Sequence, residues 1–150
     1  MHATATPRSG LMLAMLMVVV TSAIGCLGAP TAPRDASTVN AVGYHGLTAD
    51  HLAEMLAQEE AVTGETFTLV NVHVPYAGEI AGTDMHIAYD EVTEHLDHLP
   101  AKDDRIVLYC RSGPMSEEAA QALAELDYSD VWELDGGMVA WMAGGHELVE

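Results

Sequence analysis

Short apolar runs separated by polar turns carry most of the information in this chain. After an apolar stretch at residues 11–20, the pattern settles into strand-like and helix-like segments by turns. Residues 39–44 predict a short strand. Thr48 follows as an N-cap, with Leu52, Met55 and Leu56 on one helical face. Residues 66–74, TFTLVNVHV, form a β-rich apolar run that predicts a buried strand. A loop with Pro75, Gly78 and Gly82 comes next, with a strand of two or three residues near His86. Residues 90–100 predict a short helix capped by Asp90 and stopped by Pro100. RIVLYC, 105–110, is a second buried strand. A helix over 116–126 takes Ser116 as its N-cap and has acids in its first turn. VWELDGG, 131–137, is a third strand, and a last short helix ends at Gly144 and Gly145.

Strands and helices alternate, which predicts an α/β domain of three layers: a mainly parallel sheet flanked by helices. In such sheets the reactive crevice lies beyond the C-terminal ends of the strands. Cys110 stands at one of those ends.

Charge narrows the function classes. The 150 residues include 23 Asp and Glu against five Lys and Arg, for a formal charge of -18. A nucleic-acid partner needs a basic surface, and so does electrostatic binding to anionic lipid; neither is expected. The acids are spread along the chain, and Lys102 is its one lysine. This composition fits an ordinary solvated surface or a high-salt setting, in which salt screens the self-repulsion.

The N-terminal segment has the charged, apolar, small-residue order of an export signal. Its ending, AIGC, resembles the cleavage box of lipoproteins. That resemblance implies Ala23 at -3, Gly25 at -1 and Cys26 as the lipidated residue. The domain division expected is a signal at 1–25, a lipidated Cys26 with a flexible tether over 26–38, and a folded domain over 39–150. An uncleaved anchor and a cleaved, non-lipidated signal are the alternatives. All three place the domain outside the cytoplasm, on the outer face of the membrane or in the periplasm. If Cys26 carries lipid, Cys110 is the sole free thiol of the mature chain.

Between the strand at 105–110 and the helix that follows, CRSGPM must curl back on itself. Such a loop turns backbone N–H groups into its hollow, and a helix N-terminus adds positive potential. Arg111 adds a full charge. Together these favour thiolate over thiol at Cys110. The plain alternative is a buried cysteine that packs as a small hydrophobe.

The residues YCRSGPMS, ELDGGMVAWMAGGHELV and LVNVHVPYAGEIAG resemble, in that order, the active-site loop, the tail and the first buried strand of the rhodanese family of sulfurtransferases. The resemblance spans residues 39–150. It implies a five-stranded, mainly parallel sheet and a cysteine that carries sulfane sulfur as a transient persulfide, with no bound cofactor. On that resemblance Cys110 is the nucleophile. Arg111, Ser112, Gly113, Pro114, Met115 and Ser116 form the anion-cradling loop. The family's D-V-R strand reads Asn71, Val72 and His73 here. Its second loop arginine is Met115, and its G-H-I-P-G loop has Glu79 and Ala81 in place of His and Pro. Fewer cations imply a mouth less welcoming to thiosulfate and better suited to a persulfide or polysulfide donor. Asn71 and His73 are candidates for tuning the site. Phosphatases of related fold need C-x5-R, and six positions after Cys110 stands Ser116, so phosphatase chemistry is not expected.

Other residues read more simply. His95 and His98 share a helical face as surface histidines, and no ligand spacing predicts a metal. Trp141 matches the family's tail tryptophan and reads as core, as do the methionines outside the leader. The paired glycines at 136–137 lack the lysine of a phosphate-binding loop and read as a tight turn. The expected function is sulfur transfer from a small sulfur donor to a thiol or other nucleophilic acceptor. A binding module without turnover and a redox sensor at Cys110 are the alternatives.

Overall fold

The computed structural model describes residues 43–60 and 66–150. The expected signal, the expected tether and Cys26 lie outside the described residues, as does most of the strand expected at 39–44. The first strand, β1, is His45–Leu47, and Thr48 then caps α1, Ala49–Glu60, its hydroxyl accepting the His51 N–H at 3.3 Å. β2 is Thr68–Asn71, shorter than the apolar run that encodes it. Two pairs of residues follow as strands, β3 at Glu79–Ile80 and β4 at Met85–His86. β5 is Ile106–Tyr109, α2 is Pro114–Glu125, β6 is Val131–Leu134, α3 is Gly137–Ala143 and β7 is Leu148–Val149.

Five strands form one sheet in the order β1-β6-β5-β2-β4, with every pairing parallel. The expected α/β sheet is therefore found. β3 and β7 make a separate antiparallel pair, which the sequence pattern did not reveal. α1 and α3 cover one face, over Leu69, Val107, Tyr109 and Leu134. α2 covers the other, over Val70, Ile106, Leu108 and Val131. The apolar residues of β5 alternate between the two faces because successive side chains on a strand point opposite ways. Both faces are covered, so β5 is buried at every position.

The helix expected at 90–100 is not one. A single 3-10 turn spans Val92–Glu94, and Asp90 does not cap it, since Glu91 holds the N-cap position. Successive turns replace a helix: Glu94 N–H reaches the Glu91 carbonyl and His98 N–H the His95 carbonyl. Val92 and Leu99 alone are buried in this segment, too little apolar surface for an amphipathic face.

Candidate functional site

Cys110 follows the last residue of β5 and belongs to the face that α2 covers. It is 2% exposed. Its sulfur receives the Gly113 N–H at 3.1 Å and lies 3.4 Å from the Ser116 hydroxyl. Gly113 has φ +114°, a conformation that a side chain would strain, and this lets the chain double back so that its amide meets the sulfur.

Helix α2 starts two residues earlier than the sequence suggested. Gly113 is the N-cap, and Pro114 opens the helix, where its fixed φ fits and its missing N–H costs nothing. Ser116 is thus not the N-cap. It sits in the first turn, fully buried, with its hydroxyl turned back to the Gly113 carbonyl at 2.8 Å. Pro114 also removes one amide from the loop. The sulfur's donors among the described residues are one amide and one hydroxyl, a thinner cradle than a ring of amides.

The loop is held from below by α3. Met138 N–H donates to the Cys110 carbonyl at 2.9 Å and Val139 N–H to that of Arg111 at 3.0 Å. A Cβ on Gly137 would stand 2.2 Å from the Cys110 carbonyl oxygen. That close approach is the reason for the second glycine of the pair. Trp141 is buried on the same helix and donates to the Glu147 carbonyl, in keeping with a packing role.

Arg111, Ser112 and Pro114 are exposed around the mouth, and Met115 is half-buried against the core. His73 is buried, with its Nδ1 unpartnered. Burial lowers its pKa first, and the charges of Arg111 and His86 push it further the same way. It is therefore a neutral imidazole within the field of Arg111. Asn71 braces the chain instead of facing the sulfur: its Oδ1 accepts the His73 N–H at 3.0 Å and its Nδ2 donates to the Gly78 carbonyl at 3.1 Å.

One residue of the site was not expected from the sequence. Glu133 is 2% exposed on β6, and its Oε1 accepts the Ser116 hydroxyl at 2.7 Å. Burial pushes its pKa up to about 7; the Ser116 hydrogen bond opposes this, and the charges of Asp135 and Glu117 add to it. Asp135 is raised too, by burial.

A rhodanese-like domain family matches residues 48–144. This chain belongs to the rhodanese-like family. It is 31% identical over 99 residues to a sulfurtransferase of Allochromatium vinosum, covering 65% of this chain and 91% of that one. It is 29% identical over 126 residues to the adenylyltransferase/sulfurtransferase MoeZ of Mycobacterium tuberculosis, covering 75% of this chain. There the chain spans about a third of its relative, 32%. A rhodanese-related protein of Thermoplasma volcanium superposes with a TM-score of 0.56 at 23% identity, over 69% of this chain and 96% of that one. A rhodanese-like domain protein of Staphylococcus aureus gives 0.56 at 22% identity, over 70% and 98%. At those identities the likeness is one of fold.

Two hollows of this rhodanese-like domain lie away from the sulfur. The larger, about 640 Å³, is lined by Leu56, Gly82, Trp141 and His146, among others, and includes no residue of the cysteine loop. The second, about 490 Å³, is lined by Val74, His86, Glu91, His95 and His98. There the His95 and His98 rings stack with centroids 5.5 Å apart, and Asp97 brings a carboxylate within 4.8 Å of both. Asp97 and His98 are exposed.

Proposed function

We propose that this rhodanese-like domain is a sulfurtransferase that carries sulfane sulfur on Cys110. One observation supports the reading above others: a buried sulfur at a strand end, facing the Gly113 amide and the Ser116 hydroxyl at a helix N-terminus. Those donors suit a sulfur anion. The Cys110 thiolate attacks the outer sulfur of a donor R–S–S⁻, an S–S bond forms on Cys110, and R–S⁻ leaves. An acceptor nucleophile then takes the outer sulfur and returns the thiolate. Two electrons move with each bond and none is gained or lost overall.

Arg111 is the one cation of the loop and steers an anionic donor. Met115 supplies apolar surface beside it, which favours a persulfide or polysulfide over thiosulfate. Neutral His73 offers a hydrogen bond and no charge. The leader supports action outside the cytoplasm, with Cys26 or the apolar segment as the membrane tether. Thiocyanate formation tests the reading: the full chain with a polysulfide donor and cyanide should turn over, and Cys110→Ser should fall to background. Turnover unchanged in that variant would remove Cys110 from the chemistry. A folded chain inert to every sulfane donor would make the domain a binding module.

A further inference from the structure

We infer that Glu133 is a positioning residue for the Cys110 sulfur: through the single hydroxyl proton of Ser116 it sets whether that sulfur has one hydrogen-bond donor or two. The inference rests on the reading of Cys110 as the sulfur carrier.

Register brings the groups together. Glu133 pairs with Leu108 across the β5–β6 ladder, and Cys110 is the next residue of β5's chain on the same face. α2 closes over both and places Ser116 between them, 2.7 Å from the carboxyl oxygen and 3.4 Å from the sulfur.

Ser116 Oγ has one hydrogen and three acceptors within reach: the Gly113 carbonyl, Glu133 and the sulfur. An ionised Glu133 can only accept, and a carboxylate is a strong claimant for that hydrogen. The sulfur then keeps the Gly113 amide alone. A protonated Glu133 can instead donate its own O–H to Ser116 Oγ. The serine hydrogen is released and can turn to the sulfur as a second donor. The same protonation removes a negative charge from beneath a group that is itself anionic as thiolate or persulfide. The proton that distinguishes the two states comes from and returns to solvent, and the Ser116 hydroxyl hydrogen turns between its acceptors.

The surroundings let both states be populated. The charged groups that face Glu133 are Glu117, on α2, and Asp135, beyond the end of its own strand; both oppose ionisation. Its ladder partners, Gly46 on β1 and Leu108 on β5, carry no charge. Burial and these two acids put its titration near neutrality.

Alkylation of Cys110 by iodoacetamide tests this without any sulfur donor. The full chain is used from pH 5.5 to 9, and the Cys110 peptide is followed by mass, which separates it from Cys26. In the wild type the pH–rate profile should carry an inflection near pH 7 beyond that of the thiol itself. Glu133→Gln, which is neutral at every pH and can donate to Ser116 through its amide, should lose that inflection. Above pH 7 it should react about 3- to 10-fold faster than the wild type, the scale set by a like charge this close. Ser116→Ala should lose the donor-dependent part of the difference. Superimposable profiles for wild type and Glu133→Gln would overturn the inference. If Glu133→Gln does not fold, carbon NMR of the wild-type carboxyl decides: a midpoint near 7 supports it, and one in the ordinary carboxylate range overturns it. Failure to load sulfur would sink the carrier reading and leave these profiles intact.

Discussion

Tyr109 and Glu133 are polar side chains buried on opposite faces of the sheet, near the C-terminal ends of the central strands, and the fold treats them differently. On the face under α1 and α3, the Tyr109 hydroxyl accepts the Ile80 N–H at 3.0 Å and pairs with Thr83 at 2.6 Å. Burial raises its pKa, so it stays neutral throughout the ordinary range, and its partners never change. It ties β3 to the sheet. On the face under α2, Glu133 shares one serine hydroxyl with a sulfur and titrates near neutrality. The first arrangement is a fixed joint. The second has more acceptors than protons, and such a shortage is what makes a site responsive.

Variants on each face test whether the fixed joint and the responsive site are separate. Cys110→Ser has the largest expected effect, a loss of sulfur transfer to background with the fold intact, read as thiocyanate formation. Gly137→Ala comes next, because α3 lies against the backbone of the Cys110 loop there: a Cβ 2.2 Å from the Cys110 carbonyl oxygen must drive α3 off the loop. A stability loss of more than about 3 kcal/mol is expected from denaturant melts, since overpacking here is against backbone.

Glu133→Gln should change how stability depends on pH. The carboxyl has an ordinary value of 4.5 and is raised to about 7 in the fold. Between these values the folded chain holds a proton that the unfolded chain has released. Wild-type stability should therefore fall as pH rises through that window and level off above it. The glutamine variant should lack this component, worth about 3 kcal/mol across the window. Parallel stability curves for the two proteins would show that Glu133 is an ordinary acid.

Met115→Arg restores a second cation at the mouth and should raise thiosulfate turnover about 10-fold, with less effect on polysulfide. Tyr109→Phe should cost about 1–2 kcal/mol, because the Ile80 N–H is left buried without its acceptor. It should leave the alkylation profile of Cys110 unchanged. An altered profile would mean that the two faces are coupled.

The sequence made one face more legible than the other. Strand–loop–helix order, the glycine and the proline marked the Cys110 loop, and the alternation of elements marked the parallel sheet. Ser116 was misplaced because serine is a good N-cap, whereas Pro114 is preorganised for the first helical turn and starts α2 earlier. Glu133 was missed because an acid in a strand normally reads as a solvent-facing position. The signal was present: a central parallel strand has no solvent side, so a carboxyl in VWEL is buried whichever way it points. β3 and β7 escaped because two residues are too few to show a period. Asn71 stands where the family has an acid and was expected to tune the site; its amide accepts the His73 N–H and donates to the Gly78 carbonyl, a bracing role that a carboxylate could not fill on its donor side.

Whether Cys110 carries sulfur is read from the mass of the Cys110 peptide, taken from the full chain after exposure to a polysulfide. A gain of one sulfur, reversed by cyanide and absent in Cys110→Ser, is the predicted result. A folded protein that shows no such gain with polysulfide, thiosulfate or a small persulfide would contradict the claim that Cys110 carries sulfur.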